Sequence, residues 1–201
     1  MPLIMESLSN LKIQQILNAF PSPFFTTVDF LRLFPSKKNT LYDRLKRLKK
    51  NQVIKEMRRG SYLIIGKRYS DFEVANRLFS PSCVSLESAL SFYGIIAGFP
   101  YQITSVTPKK TRSLEFDGKE FVFHHLNPAI FFGFEKKENF LIAEPEKSLL
   151  DYLYFSFKGL RNPDLSEFDF SEINKNKFQK YCRQYRNKMF ISYLRSIKKL
   201  C

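Results

Sequence analysis

Histidine is nearly absent from the 201-residue chain, and its two copies, His124 and His125, are neighbours. Their sequence context is a strand, where adjacent side chains point to opposite faces, so the pair does not converge on one metal or one substrate. Cysteine is almost as scarce: Cys83, Cys182 and Cys201 are odd in number, far apart and without CxxC spacing, which suggests neither a disulfide framework nor a zinc site. No P-loop, GxSxG, HExxH or dinucleotide-binding glycine pattern occurs, so no cofactor, metal ligand or catalytic residue is expected. No apolar run approaches the roughly eighteen uninterrupted residues of a membrane span. The N-terminal MPLIMESLSNLKIQQ lacks the basic start and apolar block of a secretion signal. The expectation is a folded cytoplasmic protein with no membrane partner, its 44% apolar content being enough to build a core.

Acidic residues are missing where basic ones collect. Of the net charge of +14, segment 36–68 carries twelve bases against two acids and segment 173–201 nine bases against none. Segment 71–172 is acidic, with ten bases and fifteen acids, and the first 35 residues are balanced. Positive charge gathered in this way matches what a phosphate backbone needs for neutralisation.

The stretch SKKNTLYDRLKRLKKNQVIKEMRRGSYLI (36–64) holds most of that charge. Leu41, Leu45 and Leu48 fall at i, i+4 and i+7, which predicts a helix with one narrow leucine seam and a basic outer face. Val53–Met57 and Tyr62–Ile65 then read as two strands, joined at Arg58-Arg59-Gly60-Ser61 by a hairpin turn with glycine at the positive-φ position. Ahead of them, Ser9 can cap a helix from about Asn10 to Phe20, Pro21-Ser22-Pro23 stops it, and Phe24-Phe25-Thr26 is an extended connector. Thr26 or Thr27 can then cap a second helix ending at Pro35-Ser36. Helix, helix, turn, basic helix, hairpin is the chain order of a winged helix-turn-helix, in which the third helix enters the major groove of DNA.

On a helical wheel Asn39, Asp43, Lys46 and Lys50 lie opposite the seam, with Thr40, Tyr42 and Arg47 on the flanks. Asn39, Thr40, Tyr42 and Asp43, near the helix N-terminus, are the candidates for reading base edges. Lys37, Lys38, Lys46, Arg47, Lys49 and Lys50 suit phosphates, and Arg58 and Arg59 at the hairpin tip suit a minor groove or the backbone. The bland alternative is a solvated basic helix beside a hairpin.

Past Lys67-Arg68-Tyr69-Ser70, which reads as a linker, helices are expected over Asp71–Phe79 and, capped by Ser85, over Leu86–Tyr93. From Phe99 the pattern becomes extended: Gln102–Thr107, Arg112–Phe116, Phe121–Leu126 and Ala129–Phe134, with Asp117-Gly118 a strong hairpin signal. Glu144-Pro145-Glu146 opens another helix, with acids at its positive end. Phe178, Tyr181, Cys182, Tyr185 and Met189 then fall at helical spacing in the basic tail. The fold class expected is α+β: a winged helix-turn-helix over residues 1–68, a larger α+β domain with a mainly antiparallel sheet over 69–172, and a basic amphipathic C-terminal helix over 173–201.

Three stretches also resemble a family. VSLESALSFYGI (Val84–Ile95) looks like the serine-start helix of AbiEi-type antitoxins, with its Ala-Leu and later Gly. IAEPEKSLLDYLY (Ile142–Tyr154) resembles their Pro-Glu-Lys-Ala-Leu-Leu-Asp segment. LKRLKKNQVIKEMRRGSYLI (Leu45–Ile64) is similar to their winged-helix ending, in which an Arg-Gly-x-Tyr turn closes the wing. Ser148 departs from the commoner alanine, Asn51 from the glycine frequent between helix and first wing strand, and the tail after Ser171 is not matched. The resemblance covers most of residues 10–155. It implies an autorepressor and antitoxin of a type IV toxin–antitoxin system used in phage defence. Its DNA partner would be the operator of its own operon, and its functional partner a nucleotidyltransferase-like toxin with which no stable complex is required. Residues 36–64 would carry repression and 71–172 antitoxin action.

The competing reading is a DNA-processing enzyme, a metal-dependent nuclease targeted by its winged helix, with Asp117, Lys119 and Glu120 near the hairpin as its chemistry. DGKE is equally an ordinary polar turn.

Overall fold

The computed structural model describes residues 10–98, 100–162 and 164–197; Ser9, Phe99 and Cys201 lie outside the described residues. Two compact units divide the chain, Met1–Tyr69 and Ser70–Cys201. Both combine helices with antiparallel strand pairing, an α+β architecture.

In the first unit the elements run α1 (Asn10–Ala19), β1 (Phe24–Thr26), α2 (Thr27–Leu33), α3 (Lys38–Lys50), β2 (Ile54–Arg58) and β3 (Ser61–Ile64). Thr26 decides where α2 begins: its Oγ1 accepts the Asp29 N–H at 3.2 Å while the Asp29 carboxylate accepts the Thr26 N–H at 2.8 Å, a reciprocal capping box. The extended connector before it is a true edge strand, pairing Phe24 with Leu63 and Phe25 with Tyr62 in a sheet of order β1-β3-β2, antiparallel throughout. The three helices and this sheet close over one core containing Ile13, Leu17, Phe25, Phe30, Phe34 and the three leucines of α3. Phe25 stacks on its cross-strand partner Tyr62 with ring centroids 5.3 Å apart and meets Phe30 of α2 at 5.9 Å, which ties the sheet to the helices.

The second unit contains α4 (Asp71–Leu78), β4 (Cys83–Val84), α5 (Leu86–Phe92), β5 (Ile103–Thr107), β6 (Arg112–Phe116) and β7 (Lys119–His125). It continues with β8 (Phe134–Lys137), β9 (Phe140–Ala143), α6 (Pro145–Phe157), α7 (Lys175–Cys182) and α8 (Lys188–Ser196). Its six-stranded sheet has the order β6-β7-β5-β4-β9-β8, with β5/β7 and β4/β9 parallel and the other three pairings antiparallel. Asp117 and Gly118 both take positive φ, +57° and +74°, closing the β6–β7 hairpin in the manner that the Asp-Gly pair favours.

Three expectations change. Ala129–Phe134 is not a strand: Asn127 caps a 3-10 turn over Pro128–Ile130, and extended pairing starts only at Phe134. Ser85 precedes α5 but does not cap it through its hydroxyl, which donates instead to Asp151 Oδ2 at 2.9 Å. The tail forms two helices rather than one, because Asn187 Oδ1 captures the N–H groups of Met189 and Phe190 and so starts a second helix. Phe178, Tyr185, Phe190 and Leu194 of this tail share one buried cluster with Leu149, Leu150 and Leu153 of α6, so the tail is integral to the second unit's core.

Inside that core sits an ion pair. Lys147 Nζ and Asp151, one turn apart on α6, are 1% and 0% exposed and bonded to each other. Ser85 and Tyr185, the latter with its OH 3.2 Å from Asp151 Oδ1 and 3.3 Å from Lys147 Nζ, complete the donors around them. Burial pushes the Asp151 carboxyl upward, opposed by Lys147 and the surrounding hydrogen bonds. Because an unpaired buried charge costs far more than a paired one, Lys147→Met should destabilise the chain by about 3–5 kcal/mol. Adding Asp151→Leu should recover most of that loss, both read as urea-unfolding midpoints; a double variant no more stable than the single would show that the pair's surroundings, not its charge, set the cost.

Candidate nucleic-acid interface

The geometry of α3 follows from its leucine spacing. Leu41, Leu45 and Leu48 are 2%, 2% and 1% exposed, and packing them inward leaves Asn39, Thr40, Tyr42, Asp43, Lys46, Arg47, Lys49 and Lys50 on the outside. Lys37 and Lys38, at the N-terminal end, are exposed as well. No side chain caps that end and no acid lies in its first turn, so the positive pole of the helix dipole is reinforced rather than offset.

The hairpin is placed by contacts within the same unit. Gly60 takes φ +78° at its tip, and a Cβ there would lie 3.2 Å from Thr27 Oγ1. The Thr27 N–H donates to Gly60 O at 3.0 Å, fastening the tip to the start of α2. A register shift between Glu56 and Arg58 bends β2 just before the turn. Arg58 and Arg59 are both exposed.

Helix and hairpin together bound a groove of about 510 Å³, lined by Tyr42, Lys46 and Lys49 from α3 and by Glu56, Arg59 and Tyr62 from the hairpin. Of the residues expected to meet DNA, Tyr42, Lys46, Lys49 and Arg59 share this groove. Lys37, Lys38, Asn39, Thr40, Asp43, Arg47, Lys50 and Arg58 are exposed around it and do not line it. Lys49 is also engaged within the protein: its ammonium is paired with Glu56 at 2.5 Å, and that hydrogen bond raises its pKa. Sequence reasoning passes over Glu56, since the pairing joins a helix to a strand and carries no local spacing signal. Tyr62, at the back of the groove, has its phenol pKa raised by burial.

The residues weighed for enzymatic chemistry each have a partner or a place within the second unit. Lys119 pairs with Asp71, Glu120 accepts a hydrogen bond from Ser113 Oγ at 2.6 Å, and Asp117 occupies the tight turn. Among the described residues no group of three or more His, Cys, Asp or Glu side chains is placed to hold a metal ion, and no helix is long and apolar enough to cross a membrane. The histidines face apart as strand geometry requires: His125 Nδ1 meets Lys109 O at 2.9 Å on the exposed side, while His124 is half-buried against Phe155. No protein-family model matches the chain, and no curated protein matches it.

Arg161 Nη2 donates to His124 Nε2 at 2.9 Å, a bond available only to a neutral imidazole. Burial and then the Arg161 charge lower the His124 pKa from its ordinary 6.5. Below 6.5 the unfolded chain therefore binds a proton that the folded chain refuses, so stability declines as pH falls through this window towards the folded value. His124→Gln should lessen the fall in urea-unfolding midpoint between about pH 7.5 and about pH 5.5, above the range of ordinary carboxylates. An unchanged fall would assign the dependence to other groups.

Proposed function

We propose that this chain is a DNA-binding transcriptional autorepressor and antitoxin of a type IV, AbiEi-like toxin–antitoxin system, acting in the cytoplasm on the operator of its own operon. Residues 10–69 are read as a winged helix-turn-helix, with α2 and α3 as the helical pair, α3 as the recognition helix and the β2–β3 hairpin as the wing. The observation that carries this reading is the groove shared by Tyr42 and Lys46 of α3 and Arg59 of the hairpin tip, set in a surface where basic side chains greatly outnumber acidic ones. A basic helix alone is often only a solvated face; a basic helix and a basic hairpin tip meeting across one concavity form a surface that can follow a phosphate backbone on both sides of a groove. Asp43 and Glu56 make the surface selective, because they favour cytosine amino groups or disfavour phosphate where they stand.

The family resemblance of Val84–Ile95, Ile142–Tyr154 and Leu45–Ile64 supplies the rest of the proposal: autorepression, a nucleotidyltransferase-like toxin as functional partner, and antitoxin action by the second unit. The buried Lys147 and Asp151 belong to the second of these stretches, and their place in the core gives that motif a structural reason to exist.

The test is fluorescence anisotropy of the full chain on duplex DNA from upstream of its own gene, across a salt series. Arg58→Ala with Arg59→Ala should weaken binding on all sequences and reduce the slope of log K against log salt by about 2, since two phosphates would go unneutralised. Asn39→Ala should change sequence preference and leave the slope unaltered. Binding by both variants equal to that of the unmodified chain would overturn the assignment of the interface. Growth rescue from a co-expressed toxin by the same Arg58/Arg59 variant, with repression abolished, would separate the two activities as proposed; failure of rescue would contradict the division of labour.

A further inference from the structure

The bend between α7 and α8 forms one wall of a pocket of about 470 Å³ that the DNA-binding reading leaves without a role. It lies wholly within the second unit. Arg183 and Arg186 border it from the bend, the half-buried Tyr154 presents aromatic surface with the buried Tyr185 behind it, and Asn127 and Asn187 flank it from two different turns. No aspartate or glutamate lines it.

The two asparagines are what give this pocket a sign. Asn127 Oδ1 accepts the Ala129 N–H at 2.9 Å, and Asn187 Oδ1 accepts those of Met189 and Phe190 at 3.0 and 3.1 Å. Each oxygen is therefore committed to capping its own turn, which fixes the amide orientation and leaves an NH2 group with no partner among the described residues. Arg183 and Arg186 likewise have neither an ion pair nor a side-chain hydrogen bond there, although Lys177 on the preceding helix is paired with Glu144 at 3.0 Å. Asn187 is the N-cap of the nine-residue helix α8, so its positive pole adds to the same side. Guanidinium groups, spare amide donors and a helix start, without any competing carboxylate, form a surface with donors to spare.

We propose that this pocket binds a phosphate group, carried by a ligand of nucleotide size, with Arg183 and Arg186 on the phosphate oxygens and Tyr154 against the attached ring. A pocket of this volume is within the range that holds small molecules of that size. Arginine suits the role because its planar fork meets two phosphate oxygens at once. The same group could come from a free nucleotide or from the terminal phosphate of a nucleic-acid strand, and the pocket chemistry is common to both. This site is independent of the DNA interface on α3 and the hairpin.

Calorimetric titration of the full chain with adenosine 5′-monophosphate, guanosine 5′-monophosphate, adenosine and inorganic phosphate tests it. At least one nucleotide should bind, adenosine should not, and Arg183→Ala with Arg186→Ala should weaken nucleotide binding at least about tenfold, the effect expected from removing charge-assisted hydrogen bonds. Both arginines are exposed, and an unchanged melting temperature of the variant confirms that folding is intact. A second arm compares one short single strand with and without a 5′ phosphate, using the chain that also carries Arg58→Ala and Arg59→Ala. Phosphate-dependent binding there, abolished when Arg183 and Arg186 are replaced, assigns the source to a strand end even if mononucleotides fail. Equal binding of the two strands with no nucleotide binding, or nucleotide binding indifferent to the arginine substitutions, overturns the proposal whatever the outcome for operator DNA.

Discussion

Burial of Leu41, Leu45 and Leu48 is the constraint from which the first unit's surface follows. The three side chains lie in one core with Phe30 of α2 and Phe34 just after it, Ile13 and Leu17 of α1, and Ile54, Tyr62 and Ile64 of the hairpin. Because a helix turns by 3.6 residues, fixing that seam fixes the direction of every other α3 side chain, and the basic ones point outward as a consequence. The hairpin is held by the same core and by the Thr27–Gly60 bond at its tip, so Arg59 reaches the groove beside Lys46 without needing a contact of its own. Like charges can be crowded on this surface because apolar packing beneath it supplies the stability that their mutual repulsion removes.

The second unit handles charge in the opposite way, by pairing it. Its carboxylates hold the basic tail to the rest: Glu144 meets Lys177 at 3.0 Å and also accepts from Tyr181, while Glu146 Oε1 accepts the Asn174 N–H at 3.0 Å. These bonds fasten α7 to the start of α6. Deeper in, Lys147 and Asp151 bring opposite charges into an apolar cluster where only mutual satisfaction makes them tolerable. Arg183 and Arg186 are among the bases that this pairing leaves over, on the bend beyond the last of these carboxylate bonds.

What can be seen in the sequence is whatever local spacing encodes. The leucine seam, a threonine cap that the structure assigns to Thr26 rather than Thr27, the Asp117-Gly118 turn and the proline that opens α6 each rest on residues a few positions apart, and each stands in the structure. Where the signal is non-local, it fails. The β8–β9 hairpin escapes a sequence reading because Glu135, Lys136 and Lys137 make an edge strand too polar to show an apolar alternation, and Ala129–Phe134 offers a more apolar decoy. The parallel pairings of β5 with β7 and β4 with β9 join strands that are not successive, which a chain-order reading cannot rank. Asp151 follows Glu144 and Glu146 closely enough in sequence to pass for part of one acidic helix start, whereas its carboxylate is wholly buried and held by Lys147, Ser85 and Tyr185. Of the candidate interface, exposure of the named residues is legible, but the Lys49–Glu56 pair is not, being set by how β2 crosses α3.

The central claim is that a leucine-anchored helix and an arginine-tipped hairpin form one surface for duplex DNA. Mapping backbone amide shifts by NMR, as duplex from upstream of the gene is added to the full chain, tests it most directly. The account predicts the largest changes across residues 37–50 and 58–60, with the amides of Ile13, Leu17 and the second unit's sheet little moved. Largest changes confined to residues 70–197, with α3 and the hairpin silent, would contradict it.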